Sequence, residues 1–150
     1  MSDTVLIVDD NFKYAGWIRS VLESVGFAAE HVPNARDGRS AIKKEPEKYV
    51  AVFSDITMEH PGAGLTLVPR IRLAGYRGAV ILVSTGFDLP VVFLFSRFAL
   101  RLLGVDGLVV KQLLRTNGEW KIAWLRNRPA LAVIRERLAS VTRVPNWHSS

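Results

Sequence analysis

Three aspartates stand directly after apolar stretches of this sequence. Asp9 and Asp10 follow the run TVLIV, and Asp55 follows the run YVAVFS. Mg²⁺ takes oxygen ligands and is usually held by one or two carboxylates together with phosphate oxygens. A carboxylate can also be a nucleophile that becomes an aspartyl phosphate. These residues therefore predict a magnesium site at which Asp55 accepts a phosphoryl group.

Hydroxyl and ammonium groups follow the later apolar runs in the same way. Ser84 and Thr85 come after AVILV, and Lys111 comes after LVV. A lysine supplies a point charge for a phosphoryl group, and a hydroxyl can donate a hydrogen bond to a phosphoryl oxygen. Each residue alone is more simply explained as a helix cap or a solvated side chain. Their occurrence together favours phosphoryl transfer, which depends mainly on positioning and charge neutralisation.

The elements that must position these residues alternate between strand and helix. Short apolar, β-branched runs predict five strands, and apolar residues at helical spacing predict four helices. The strands are predicted at 4–9, 27–32, 49–54, 79–83 and 108–110, and the helices at 14–25, 35–44, 65–73 and 89–103. This order is typical of an α/β fold with a doubly wound parallel sheet. Ligands of such sheets bind beyond the carboxyl ends of the strands, so one crevice would collect the polar residues.

Composition narrows the function classes. The 150 residues favour one compact domain, and a hydrophobic share of 49% excludes a disordered or collagen-like chain. The lack of cysteine excludes a disulfide framework, a thiolate metal site and a cysteine nucleophile. The N-terminus has no basic start and apolar run of a secretory signal, so we expect a cytoplasmic protein.

The net charge of +6 is confined to the C-terminal part of the chain. Residues 1–110 hold 12 basic and 12 acidic side chains, whereas residues 111–150 hold 8 basic and 2 acidic ones. Three of the four tryptophans also lie in this basic tail. The tail is either a surface that contacts nucleic-acid phosphates or the solvated face of a helix, and the second is favoured because charge alone says little about specificity.

Residues 89–103 form an unusually apolar run. The run is too short to span a bilayer and contains Arg97 and Arg101, which argues against a transmembrane helix. As a helix it would be apolar around most of its circumference, whereas a helix on one side of a sheet needs only one apolar face. Its second face is predicted to pack against the tail or against another molecule, and the sequence leaves both open.

Residues 112–127 allow two interpretations. Asn117-Gly118 lies between two apolar-rich arms and favours a two-residue hairpin turn that pairs Leu113 with Ile122, forming an antiparallel edge strand. The alternative is a helix that begins at Trp120. A final helix is predicted from Pro129, with an inner stripe of apolar residues. That stripe is Leu131, Ile134 and Leu138.

Five motifs in this order give the chain a family resemblance. The motifs are LIVDDN, ARDGRSAI, VFSDITM, ILVSTG and GVDGLVVK, which lie between residues 6 and 111, and the resemblance covers residues 4–111. The chain resembles the CheY-like receiver domain of two-component response regulators. The resemblance implies a flavodoxin-like fold of five parallel strands in the order 2-1-3-4-5. Residues 1–111 would form the receiver-like domain, and 112–150 a C-terminal extension of hairpin and helix with no separate effector domain.

The same resemblance implies a role for each site residue. Asp55 would be the phosphoacceptor, and Asp9 and Asp10 the acidic pair that holds Mg²⁺. The metal ligands would be Asp9, Asp10, Asp55 and the backbone carbonyl of Thr57. Thr85 would be the switch hydroxyl, with Ser84 as the alternative register, and Lys111 would pair with the phosphoryl group. The resemblance implies a phosphoacceptor whose enzymatic activity is at most self-phosphorylation and autodephosphorylation.

The chain departs from the family pattern where the signal would leave the site. Gln112 stands where a proline usually follows the lysine, Leu108 where an aromatic residue is usual, and Glu59 where a proline is common. The site residues thus indicate phosphorylation, while the switch residues indicate an unorthodox output.

The leading hypothesis is a stand-alone receiver in a two-component phosphorelay. It would be phosphorylated by a histidine kinase or a phosphotransfer protein, and it would signal to a downstream protein through residues 89–103 and the extension. The alternatives are a pseudo-receiver with constitutive binding and, less favoured, nucleic-acid binding by the tail. The sequence does not decide between a monomer and a homodimer.

Overall fold

A computed structural model describes residues 3–56, 63–84 and 97–148. The strands are β1 (Thr4–Val8), β2 (Ala28–Val32), β3 (Tyr49–Asp55), β4 (Ala79–Ser84), β5 (Gly107–Val110) and β6 (Ile122–Trp124). The helices are α1 (Phe12–Ser24), α2 (Ala35–Lys44), α3 (Ala63–Leu73), α4 (Arg97–Leu103), α5 (Lys111–Asn117) and α6 (Ala132–Leu138), and a 3₁₀ turn covers Pro129–Leu131.

These elements form one sheet with helices on both faces. The strand order is β2-β1-β3-β4-β5-β6. The first five strands pair in parallel, and β6 pairs antiparallel with β5. The predicted flavodoxin-like α/β fold, with strand order 2-1-3-4-5 and a further C-terminal helix, is confirmed.

Successive residues of the central strands supply two separate cores. Val5 and Ile7 of β1 belong to the core that contains α1, α5 and α6, whereas Leu6 and Val8 belong to the core that contains α2, α3 and α4. This division follows from the alternation of side chains along a strand. It also explains why the strands read as continuous apolar runs, since both faces of a parallel sheet are covered.

The C-terminal part of the chain packs into the same core as α1. The predicted inner stripe of the last helix is confirmed, because Leu131, Ile134 and Leu138 are all buried. The Trp120 ring centroid lies 5.9 Å from that of Phe53 in β3. Trp120 and the last helix therefore cover the α1 face of the sheet, while Ile122–Trp124 extends the sheet itself.

The predicted Asn117-Gly118 hairpin turn is wrong, although the antiparallel edge strand that it was expected to form is present. Lys111–Asn117 is a helix that ends at Gly118, whose φ of 70° is left-handed and whose N–H donates to the carbonyls of Leu113 and Leu114. Asn-Gly favours a left-handed backbone, which serves a helix end as well as a hairpin turn. Burial of Leu114 in the core decides for the helix. The alternative helix from Trp120 is also wrong, since Ile122–Trp124 is a strand.

The apolar run 89–103 is described only from residue 97 onward. There it forms α4, whose Leu100 is buried against the α2–α3 side of the sheet while Leu102 is 73% exposed. The predicted start of this helix lies outside the described residues. Among the described helices, none is long and apolar enough to cross a membrane.

Candidate functional site

The carboxyl ends of four strands lie level at one edge of the sheet. The register pairs Val8 with Ser54, Asp55 with Val83, and Ser84 with Val110. The residues that follow these positions must then lie side by side. The predicted crevice is thus formed by the register of the parallel strands.

Asp9 is fixed by the residues that connect β1 to α1. The side chain of Asn11 caps α1 by accepting from the backbone N–H groups of Lys13 (3.0 Å) and Tyr14 (3.2 Å). The backbone N–H of Asn11 donates to Oδ1 of Asp9 at 2.8 Å. Capping by Asn11 leaves Asp10 exposed at the mouth of the crevice and Asp9 buried inside it.

Asp55 is held at the end of β3 by the close approach of α3. Its side chain is buried, and the N–H of Gly64 donates to the carbonyl of Ile56 at 3.0 Å. A Cβ atom at Gly64 would overlap the carbonyl oxygen of Asp55. Glycine is therefore required at the second residue of α3, where the helix backbone packs directly against the Asp55 carbonyl.

Lys111 connects the two buried aspartates. Its Nζ lies 3.0 Å from Oδ2 of Asp55 and 3.2 Å from Oδ2 of Asp9, and its side chain is 4% exposed. It also lies 4.4 Å from the centroid of the Tyr14 ring, a cation–π distance. As the first residue of α5, Lys111 links the crevice to the C-terminal part of the chain.

The acidic group fits a magnesium ion. Oxygens of Asp9, Asp10 and Asp55 all lie within 4.8 Å of one another. Oδ2 of Asp9 is buried and has no hydrogen-bond partner within the described ranges, although Lys111 Nζ is 3.2 Å away as an ion pair. A buried carboxylate oxygen that is not hydrogen-bonded is a favourable ligand for a hard cation. The donor set is all oxygen, as Mg²⁺ prefers.

The structure brings together five of the predicted site residues. Asp9, Asp10, Asp55 and Lys111 lie in the crevice, and Ser84 ends β4 with its side chain buried. Thr57 and Thr85 lie outside the described residues, so their predicted roles have no structural counterpart here.

Two neighbours of the site were not singled out from the sequence. Tyr14 lies one helical turn after Asp10, and its ring contacts the lysine ammonium. The ring N–H of His31, at the end of β2, donates to the backbone carbonyl of Asp9 at 2.6 Å. The position of Tyr14 beside the site could have been predicted from Asn11, since this cap starts α1 at the crevice and places the first helical turn along it. His31 has no such signal because its contact depends on the pairing of β1 with β2.

Comparison with protein families gives one match over most of the chain. The family described as the response regulator receiver domain matches residues 5–117. No curated protein sequence matches the chain.

Several solved structures resemble this one. A receiver domain protein from Clostridium thermocellum is 17% identical, with a TM-score of 0.64 over 93% of this chain and 95% of that one. A CheX-CheY-BeF3-Mg²⁺ complex from Borrelia burgdorferi matches at 20% identity and a TM-score of 0.62 over 91% of this chain and 87% of that one. A CheY-like receiver domain from Methylobacillus flagellatus is 29% identical, with a TM-score of 0.50 over 57% and 71%.

Proposed function

Since the chain belongs to the response regulator receiver domain family, we propose that Asp55 accepts a phosphoryl group from a histidine kinase or a phosphotransfer protein. The single observation that carries this is the buried Asp55 carboxylate, 3.0 Å from the Lys111 ammonium and grouped with Asp9 and Asp10. A carboxylate in this setting has a positive charge beside it and oxygen ligands for a cation around it. The proposed location is the cytoplasm, where such kinases meet their receivers.

The proposed transfer moves one phosphoryl group without any further reactant. An Oδ atom of Asp55 attacks the phosphorus of a phosphohistidine, a P–O bond forms as the P–N bond breaks, and the released imidazole takes up a proton. Lys111 then exchanges its contact with the Asp55 carboxylate for one with a phosphoryl oxygen. Such charge neutralisation is the main contribution of the protein to phosphoryl transfer.

A magnesium ion would be held by Asp9, Asp10 and Asp55, and by the backbone carbonyl of Thr57 that the family resemblance adds. When bound, the ion neutralises negative charge on the phosphoryl oxygens. The hydroxyl of Ser84, or of Thr85 in the other register, would donate a hydrogen bond to a phosphoryl oxygen. These assignments rest on the acidic group and on the position of Ser84 at the end of β4.

The proposed output runs through α5 into the C-terminal extension. Lys111 begins α5, and Leu114 in the same helix is packed in the core with residues of the extension. A change of partner at Lys111 therefore acts on residues 112–150, and we propose that this extension and the run 89–103 form the surface for a downstream protein. Residues 1–111 would be the phosphoaccepting unit.

Leu108 favours a second candidate, a pseudo-receiver whose binding does not depend on phosphorylation. This residue replaces the usual aromatic group and lies opposite Ala123 of β6, so an added strand covers its edge of the sheet. If this alternative holds, a partner isolated with the wild type will bind the Asp55→Asn variant with the same affinity. If the partner binds the phosphorylated wild type more tightly than it binds Asp55→Asn, the pseudo-receiver alternative is excluded.

Beryllofluoride, a phosphoryl mimic, tests the leading proposal. With Mg²⁺ present, titration should give saturable binding to the wild type and none to Asp55→Asn. The control is Glu47→Gln, which removes an exposed carboxylate outside the crevice and should bind like the wild type. Absence of binding to the wild type, or equal binding to Asp55→Asn, would contradict the proposal.

A further inference from the structure

A buried aspartate holds a group of arginines at the amino ends of the strands, the end of the sheet opposite to Asp55. Asp106 directly precedes β5 and its side chain is fully buried. Its Oδ2 accepts from the backbone N–H of Val80 at 2.9 Å and from Nη2 of Arg72 at 2.8 Å. Arg128 donates to both oxygens at 3.0 Å. The carboxylate thus fixes two arginines at the amino ends of β4 and β5.

One carboxylate does not balance the positive charge here. Arg126 also approaches Asp106, with 3.5 Å between its Nε and Oδ1. Burial lowers the pKa of Arg72, Asp106 opposes that effect, and the nearby charges of Arg128 and Arg126 lower the pKa further. Three guanidinium groups, of Arg72, Arg126 and Arg128, therefore lie within 3.5 Å of one carboxylate, which leaves an excess of positive charge. The site would gain from an additional anion.

Two adjoining cavities open over these arginines. Their volumes are about 540 and 410 Å³, and Arg101, Arg126 and Arg128 line both of them. None of the described residues that line either cavity is acidic. We call the combined cavity the arginine cleft; its charged lining is Arg72, Arg77, Arg101, Arg126, Arg128 and Arg135.

The arginines of the cleft divide into committed and available groups. Arg72 uses its guanidinium on Asp106 and on the backbone carbonyls of Gly104, Tyr76 and Gly78. Within the described part of the chain the Arg101 guanidinium, by contrast, makes no hydrogen bond, and the Arg126 guanidinium makes only its 3.5 Å ion pair with Asp106. Planar guanidinium forks match phosphate oxygens in paired hydrogen bonds.

An aromatic ring lies beside the available arginines. Trp124 of β6 is half-buried and lines the larger cavity of the cleft. The Arg135 guanidinium lies 5.1 Å from the Trp124 centroid and donates to the Arg126 carbonyl at 3.2 Å. Aromatic rings beside arginines provide stacking surfaces for nucleobases.

We propose that the arginine cleft binds a nucleotide, with its phosphates against Arg101 and Arg126 and its base against Trp124. An excess of guanidinium groups selects an anion, and the adjacent indole favours a phosphate that carries a base over a simple carboxylate. The volume of the cleft lies in the range of small-molecule sites. The site is separate in space from the phosphoryl site, because it lies at the amino ends of β4 and β5 whereas Asp55 stands at the carboxyl end of β3.

Calorimetric titration at low salt with pyrophosphate, ADP and a single-stranded oligonucleotide tests the proposal. We expect ADP to bind the wild type at least about fivefold more tightly than pyrophosphate, since stacking on an aromatic ring contributes about 1–3 kcal/mol. Arg101→Gln and Arg126→Gln should each weaken ADP binding about tenfold, the loss that corresponds to one charged hydrogen bond. Tighter binding of the oligonucleotide than of ADP would identify the source of the nucleotide as a nucleic acid.

The control is Arg115→Gln, which removes the same charge from the exposed surface of α5 and should leave ADP binding unchanged. Asp55→Asn should also bind ADP normally, which separates this site from the phosphoryl site. Equal loss of affinity in Arg115→Gln and Arg126→Gln would reduce the effect to net charge and overturn the proposal. It would be overturned equally by equal affinities for ADP and pyrophosphate, by tighter binding of polyglutamate than of ADP, or by no binding of ADP.

Discussion

Replacement of Lys111 by methionine should destabilise the protein strongly in the absence of Mg²⁺. The change removes the ammonium 3.0 Å from Asp55 and 3.2 Å from Asp9, and both of these carboxylates are buried. Removal of one partner from a buried ion pair typically costs about 3–5 kcal/mol, because a charge stays behind in a low-dielectric setting. For a chain of this length the loss corresponds to a fall of roughly 6–20 °C in the melting temperature.

Urea denaturation with and without Mg²⁺ measures this effect. Because the three aspartates can hold a cation, Mg²⁺ should restore much of the free energy of unfolding that Lys111→Met loses. Lys121→Met, which removes an exposed lysine, should match the wild type in both conditions. Our reasoning would be refuted if Lys111→Met were as stable as the wild type without metal, since the ammonium would then not be compensating the aspartates.

Three further outcomes follow from individual contacts. Gly64→Ala should cost about 1–3 kcal/mol of unfolding free energy, because the new methyl group would overlap the Asp55 carbonyl. The same variant should bind beryllofluoride more weakly. An unchanged unfolding free energy together with unchanged beryllofluoride binding would contradict the contact. Gly118→Ala should cost about 1–2 kcal/mol in thermal melts, because its φ of 70° is unfavourable for alanine, and an unchanged melting temperature would argue against the left-handed helix end. A hydrogen bond from Lys48 lowers the pKa of Glu30 below its ordinary 4.5, so this pair stabilises the fold above pH 4.5 and the contribution is lost as pH falls through the lowered pKa. The urea midpoint of Glu30→Gln should therefore vary less with pH across this acidic range than that of the wild type. Identical pH profiles of the two proteins would contradict this contribution of Glu30.

The fold and most of the site could be predicted because the relevant signals are local. Parallel strands buried on both faces leave continuous apolar runs, and polar residues mark the point where each run ends. Asp9, Asp55 and Lys111 could therefore be placed in one crevice from the sequence alone. The hairpin prediction at Asn117-Gly118 was wrong because the left-handed backbone that Gly118 adopts occurs both in hairpin turns and at helix ends. Burial of Leu114 in the core favours the helix end.

The functional use of the basic tail could not be predicted from its charge. Arg137 forms an ion pair with Asp3 and lies over the Phe27 ring, and Arg143 donates to a backbone carbonyl, so both support the fold. The arginine cleft, in contrast, takes Arg72 and Arg101 from outside the tail. Contacts between residues distant in the chain decide which arginines remain available, and composition does not contain that information.

The most direct test of the central claim is the intact mass of the protein after incubation with acetyl phosphate and Mg²⁺. We expect a mass increase of one phosphoryl group on the wild type, its loss when Mg²⁺ is chelated beforehand, and no increase for Asp55→Asn. Mass spectra in which the wild type gains no phosphoryl group, or in which Asp55→Asn gains it equally, would contradict the assignment of Asp55 as the phosphoacceptor.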